Sequence, residues 1–86
     1  MIAAARAIHD YIREEILAGA GEDLTETTPL LELGILDSFS MLKLVGWLEE
    51  RYSVQVDSGD LTAENFATVA DIGALVSRYV ERAAGS

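Results

Sequence analysis

Met41, Leu44, Val45, Leu48 and Tyr52 recur at intervals of three and four residues, a spacing that an α-helix gathers onto one face. Two other stretches repeat the pattern. Ala5, Ile8, Ile12 and Ile16 form a stripe within residues 2 to about 18, and Val69, Ile72, Val76, Tyr79 and Val80 form another that runs to about Arg82. An apolar stripe needs something to pack against, and in 86 residues these three have mainly each other, which predicts a single domain, 1–86. Gly19 and Gly21 stop the first helix, and the second runs from Asp37 or Ser38 to about Tyr52. Asp60 to about Asn65 predicts one short helical turn, and Thr68 three residues before Asp71 is close to a capping box. Residues 20–36 form a long loop that begins polar and turns apolar, with Leu30, Leu31, Leu33, Ile35 and Leu36 around Gly34. A loop this long and this apolar packs down rather than serving as a linker. The expected fold is all-α, a four-helix bundle of three longer helices and one short, with the leucines of the long first loop closing the core.

Composition narrows the chemistry. With no cysteine, disulfides, thiolate metal sites and a cysteine nucleophile are excluded. His9 is the only histidine, so a His–His metal pair is impossible and a Ser–His relay has one candidate base. The net charge is −9, and Glu14, Glu15, Glu22, Asp23, Glu26, Glu32 and Asp37 fall in a stretch with no Lys or Arg between Arg13 and Lys43. Such a face repels phosphate backbones, which argues against nucleic acid, and speeds encounter with a basic protein surface. Solvation alone is the alternative reading of the same charges. Neither a secretory leader nor a membrane span is visible, so a cytoplasmic protein, monomeric and away from membranes, is expected.

The stretch Gly34-Ile35-Leu36-Asp37-Ser38-Phe39-Ser40 places a serine where the apolar loop meets the start of an amphipathic helix. Unpaired N–H groups and the positive end of the helix dipole favour a phosphate ester there. An Asp-Ser pair at a helix start is also an ordinary cap, so the dipeptide alone decides little.

Length, acidity, the long first loop, Gly-x-x-Asp-Ser at the start of helix II and the run Glu64-Asn65-Phe66-Ala67-Thr68-Val69-Ala70-Asp71-Ile72 together resemble the acyl carrier protein family, over residues 5 to about 82. The resemblance implies that Ser38 is the attachment point of 4′-phosphopantetheine, donated covalently from coenzyme A by a Mg²⁺-dependent phosphopantetheinyl transferase. Asp37 matches the acid that the family presents beside that serine. The arm would provide the thiol that this chain lacks, making the protein a carrier acted on by other enzymes and not itself an enzyme. Asp37, Phe39, Leu42, Lys43 and Gly46 fall where carriers meet partners, here acyltransferase, ligase or ketosynthase-type enzymes with basic docking surfaces. Phe39 stands in place of the leucine usual in fatty-acid carriers, Ser40 where an acid is common, and Lys43 in place of glutamate. These departures point to a free-standing carrier of the type II polyketide or nonribosomal peptide kind, in polyketide or hybrid (antibiotic-type) biosynthesis. An aminoacyl or peptidyl carrier loaded by an adenylating ligase, or an unmodified helical interaction domain, are the alternatives. A small serine hydrolase is disfavoured by size, the lone histidine and the missing Gly-x-Ser-x-Gly elbow.

Other residues have plainer readings. His9 is expected at a surface or half-buried position. Trp47 points away from its helix's core stripe, as a partner anchor or, more simply, packed on a neighbouring helix or loop. Gly46 and Gly73 each cost a helix about 1 kcal/mol relative to Ala. Close helix packing explains both, with partner approach a second option at Gly46.

Overall fold

The computed structural model describes residues 3–84, and the expected helix start at Ile2 lies outside them. Helix α1 spans Ala3–Tyr11 and continues as a π-helical turn over Ile12–Ile16. Ala5, Ile8 and Ile12 are buried as their spacing requires, while Ile16 is half-buried. The widened turn shows in the Leu17 N–H, which donates to the Ile12 carbonyl five residues back at 2.9 Å. Ala18 and Gly19 then take left-handed backbone conformations (φ 53° and 85°), and the Gly19 N–H closes on the Arg13 carbonyl at 2.9 Å. The α-helix therefore ends at Tyr11, earlier than the apolar stripe suggests, and it is the π-helical turn after it that closes just before Ala18 and Gly19.

Helix α2 covers Ser38–Tyr52 and α3 covers Val69–Ala84; no strand occurs among the described residues. Leu44, Val45 and Leu48 of α2 are buried, with Met41 and Tyr52 half-buried at the edges of the same stripe. From α3, Val69, Ile72, Leu75, Val76 and Tyr79 enter the core, and Val80 is 40% exposed at its edge. Gly73 accounts for the close approach of α1 to α3: a Cβ there would sit 3.1 Å from Ala5 Cβ and 3.3 Å from its Cα. The Thr68–Asp71 cap forms, with the Asp71 N–H donating to Thr68 Oγ1 at 3.1 Å and the threonine hydroxyl donating to Asp71 Oδ2 at 2.9 Å. Among the described residues, no helix is long and apolar enough to cross a membrane.

Two connections depart from expectation. Where the sequence predicts a short helix over Asp60 to Asn65, the chain makes a 3₁₀ turn at Ser58–Asp60 and then turns, with the Phe66 N–H donating to the Thr62 carbonyl at 3.2 Å. In the long loop, Leu24, Leu30 and Leu36 close the core, but Leu33 is 63% exposed. The loop is held to the residues before and at the start of α3 by two backbone bonds, Leu30 N–H to Ala67 O at 2.8 Å and Ala70 N–H to Glu26 O at 2.9 Å.

Tyr79 ties α3 to the 3₁₀ turn. Its hydroxyl accepts from the Asp57 N–H at 2.9 Å and donates to the Asp60 carboxylate. Desolvation, followed by the bond to Asp60, raises the phenol above its ordinary value of 10.0. A raised phenol stabilises the fold below the unfolded value, and that stabilisation is lost as pH rises through the folded one. Tyr79→Phe is expected to cost about 1–2 kcal/mol, read as a melting temperature lower by roughly 4–16 °C. It should also flatten the loss of stability above about pH 10. A variant that melts with wild type would show that the hydroxyl contributes nothing.

Candidate functional site

The start of α2 is positioned from behind. Leu30 is fully buried, and its carbonyl accepts both the Ile35 N–H at 2.9 Å and the Leu36 N–H at 3.2 Å. Gly34 supplies the positive φ of 74° that this tight return needs. Leu36, buried at 2% exposure, then fixes the chain one residue before Asp37.

Asp37 is the cap. Its backbone is extended (φ −116°, ψ −174°), Oδ1 accepts the Ser40 N–H at 2.8 Å, and its carbonyl accepts the Met41 N–H at 2.8 Å. The Ser40 N–H chiefly holds the carboxyl below its ordinary value, so Asp37 is ionised at neutral pH. Ser38 is thereby the first residue of the helix, and it is exposed. His9, the only imidazole, is committed elsewhere: Nε2 lies 2.8 Å from the Leu24 carbonyl and Nδ1 3.1 Å from Asp10 Oδ1. Ser38 therefore has no histidine base, and among the described residues no side chain hydrogen-bonds its hydroxyl, so it is not set up as an activated nucleophile.

Phe39 and Leu42 are 78% and 67% exposed, and Lys43 and Gly46 are exposed too. With spacings of three, four and seven residues, the four share the solvent side of α2. A Cβ on Gly46 would meet nothing within 4 Å, which rules out the close-packing explanation for it and leaves an open, flat spot on that face. Lys43 makes no ion pair among the described residues. Trp47 is half-buried and packs on a neighbouring helix, its ring stacked on Tyr11 with centroids 4.4 Å apart. The start of α2 thus presents a hydroxyl, a fixed carboxylate and a partly apolar face, without a catalytic constellation.

A family model described as "Phosphopantetheine attachment site" matches residues 6–76. The chain belongs to the acyl carrier protein family. It is similar to the "Probable acyl carrier protein PigG" of Serratia sp. (strain ATCC 39006), with 36% identity over 69 residues, covering 80% of this chain and 79% of that protein. It also resembles a chain in a solved structure described as "Crystal structure of FAD-dependent dehydrogenase", with a TM-score of 0.77 and 40% identity, over 80% of this chain and 97% of that one. As an acyl carrier, the protein bears 4′-phosphopantetheine and is acted on by partner enzymes, including a phosphopantetheinyl transferase. The residues at the start of α2 fit that group, with an exposed hydroxyl on the first turn of a helix whose N-terminal dipole favours a phosphate ester.

Proposed function

We propose that Ser38 carries the arm and that the protein, as one carrier domain, holds an acyl intermediate for a specialised pathway of the polyketide or hybrid kind. The observation that carries the assignment is an exposed serine at the first position of α2, fixed by the Asp37 cap and the buried Leu36. When bound, the group supplies a thiol that holds acyl units as thioesters. The chain's own task is presentation. Ser38 Oγ would form its bond to phosphorus as the pyrophosphate P–O bond of coenzyme A breaks, releasing adenosine 3′,5′-bisphosphate, with the serine proton taken by a base of the transferase. The turns of residues 58–65 correspond in this reading to the short fourth helix of the carrier bundle. Incubation with coenzyme A, Mg²⁺ and a broad-specificity transferase, followed by intact mass spectrometry, should show one phosphopantetheine added; no gain in mass would defeat the proposal.

Phe39, Ser40 and Lys43, which depart from the residues usual in fatty-acid carriers, support a role outside fatty-acid synthesis. The solved relative adds a partner class. Since 80% of this 86-residue chain covers 97% of the matched chain, that chain is carrier-sized, although the structure holding it is named for a flavin enzyme. A flavin-dependent dehydrogenase therefore joins acyltransferases, ligases and ketosynthases among the proposed partners, met through the acidic stretch and the exposed face of α2.

Lys43 is the proposed discriminator on that face. Lys43→Glu should change stability by less than about 0.5 kcal/mol, as exposed substitutions usually do. Fatty-acid synthase enzymes should use the holo variant better and the native partner should use it less well, because an unfavourable charge contact is an effective way to reject a wrong partner. A variant that melts with wild type and is treated identically by both enzyme sets would make Lys43 an idle surface residue.

A further inference from the structure

The core side chains Leu44, Leu48, Phe66, Ile72 and Leu75 are each at most 1% exposed. Open space lies at the surface: about 510 Å³ beside Tyr11 and Trp47 and about 330 Å³ beside Tyr52, Val76 and Val80, both lined by residues far along the chain from the start of α2. A cavity of about 320 Å³ opens between the end of the π-helical turn and the long first loop. Its apolar lining comes from Leu17, Leu24, Pro29, Leu33 and Ile35, with Asp23 among its polar residues. Leu33 presents most of its side chain to water there, and Ile35 is half-buried. Exposed apolar area costs about 25 cal/mol per Å², so a ligand that covers both residues is favoured.

The geometry points to this loop cavity as the resting site of the carried acyl group. The inference rests on Ser38 as the attachment residue. Ile35 is three residues from Ser38, so their Cα atoms are at most about 11 Å apart, an interval shorter than the arm. Leu36, buried between them, fixes Ile35 relative to the start of α2. The volume lies at the lower end of the roughly 300–1,000 Å³ range of small-molecule sites, which suits a short, mainly apolar acyl group. Occupying the loop cavity requires no core side chain to move, whereas entering between α2 and α3 would break close packing.

The test uses the full chain with ¹³C-labelled methyl groups, converted by a broad-specificity transferase with either coenzyme A or butyryl-coenzyme A. Mass spectrometry first reports whether each arm is attached. The butyryl form should differ from the holo form in the methyl signals of Leu17, Leu24, Leu33 and Ile35. Those changes should be several-fold larger than any at Leu44, Leu75 and Val76. Leu33→Asp, at an exposed position, should largely abolish them. Attachment with unmoved loop methyls, or with the changes confined to the core methyls, would overturn the cavity assignment and leave Ser38 standing. Failure of attachment in wild type would overturn both.

Discussion

Ser38→Ala is expected to gain no phosphopantetheine under conditions that convert the wild-type protein fully, while Ser40→Ala is converted like wild type. The two serines are two residues apart, yet their environments differ. Ser38 is exposed at the first position of α2, whereas Ser40 is half-buried and its N–H is held by Asp37 Oδ1 at 2.8 Å. If Ser38 carries the arm as proposed, removing its hydroxyl deletes the acceptor oxygen, so the loss should be complete and not graded. The fold should survive, because the cap belongs to Asp37 and alanine is the best helix former. Intact mass spectrometry and far-ultraviolet circular dichroism on the same samples separate these effects. Modification of Ser38→Ala at any other residue would remove Ser38 from its proposed role. Loss of helical signal would show that Ser38 contributes to the helix start in a way its exposed position does not suggest.

The site and the regular elements are more legible in the sequence than the irregular segments. Periodicity finds Ala5, Ile8 and Ile12, Leu44, Val45 and Leu48, and Val69, Ile72, Val76 and Tyr79, all of which are buried. A helix has a repeat that shows which residues face inward, and Lys43, two positions before the core residue Val45, falls roughly opposite it and is exposed. Either Asp37 or Ser38 could cap the helix by residue type, since both types serve there; backbone geometry decides for Asp37. Where the chain is irregular, no period exists to read. Leu24 and Phe66 are core residues in loops, and Leu33 is exposed beside leucines that are not. The difference lies in the return at Leu30, whose carbonyl takes two N–H groups, a tertiary arrangement that composition does not encode. Gly46 and Gly73 look alike in sequence. Only one of them faces another helix, at Ala5.

Phe66→Ala is therefore expected to have the largest effect on stability, at a position that periodicity passes over. The ring is fully buried. It sits between two anchors: its N–H bonds to the Thr62 carbonyl at 3.2 Å, and the next residue, Ala67, accepts the Leu30 N–H at 2.8 Å. Truncating a buried phenylalanine costs about 3–5 kcal/mol, from lost burial and the cavity left behind. A domain of this size has roughly 4–13 kcal/mol in total at the usual stability per residue, so the variant should lie near the limit of folding. At about 4–8 °C per kcal/mol, its melting temperature should fall by roughly 12–40 °C. Leu33→Ala, at an exposed position, should change stability by no more than about 0.5 kcal/mol. Because Ala67 and Ala70 hold the long first loop by backbone bonds, a hole at Phe66 should also loosen the segment that positions Ser38. Amide exchange in Phe66→Ala should then rise at Leu30 and Ala70 more than within α2. Thermal melts of the two variants beside wild type decide the matter. If Phe66→Ala melts within a few degrees of wild type, the ring is not the core anchor that its burial indicates. If only the global melt shifts and exchange rises uniformly, the loop and α3 do not form the local unit that those two bonds imply.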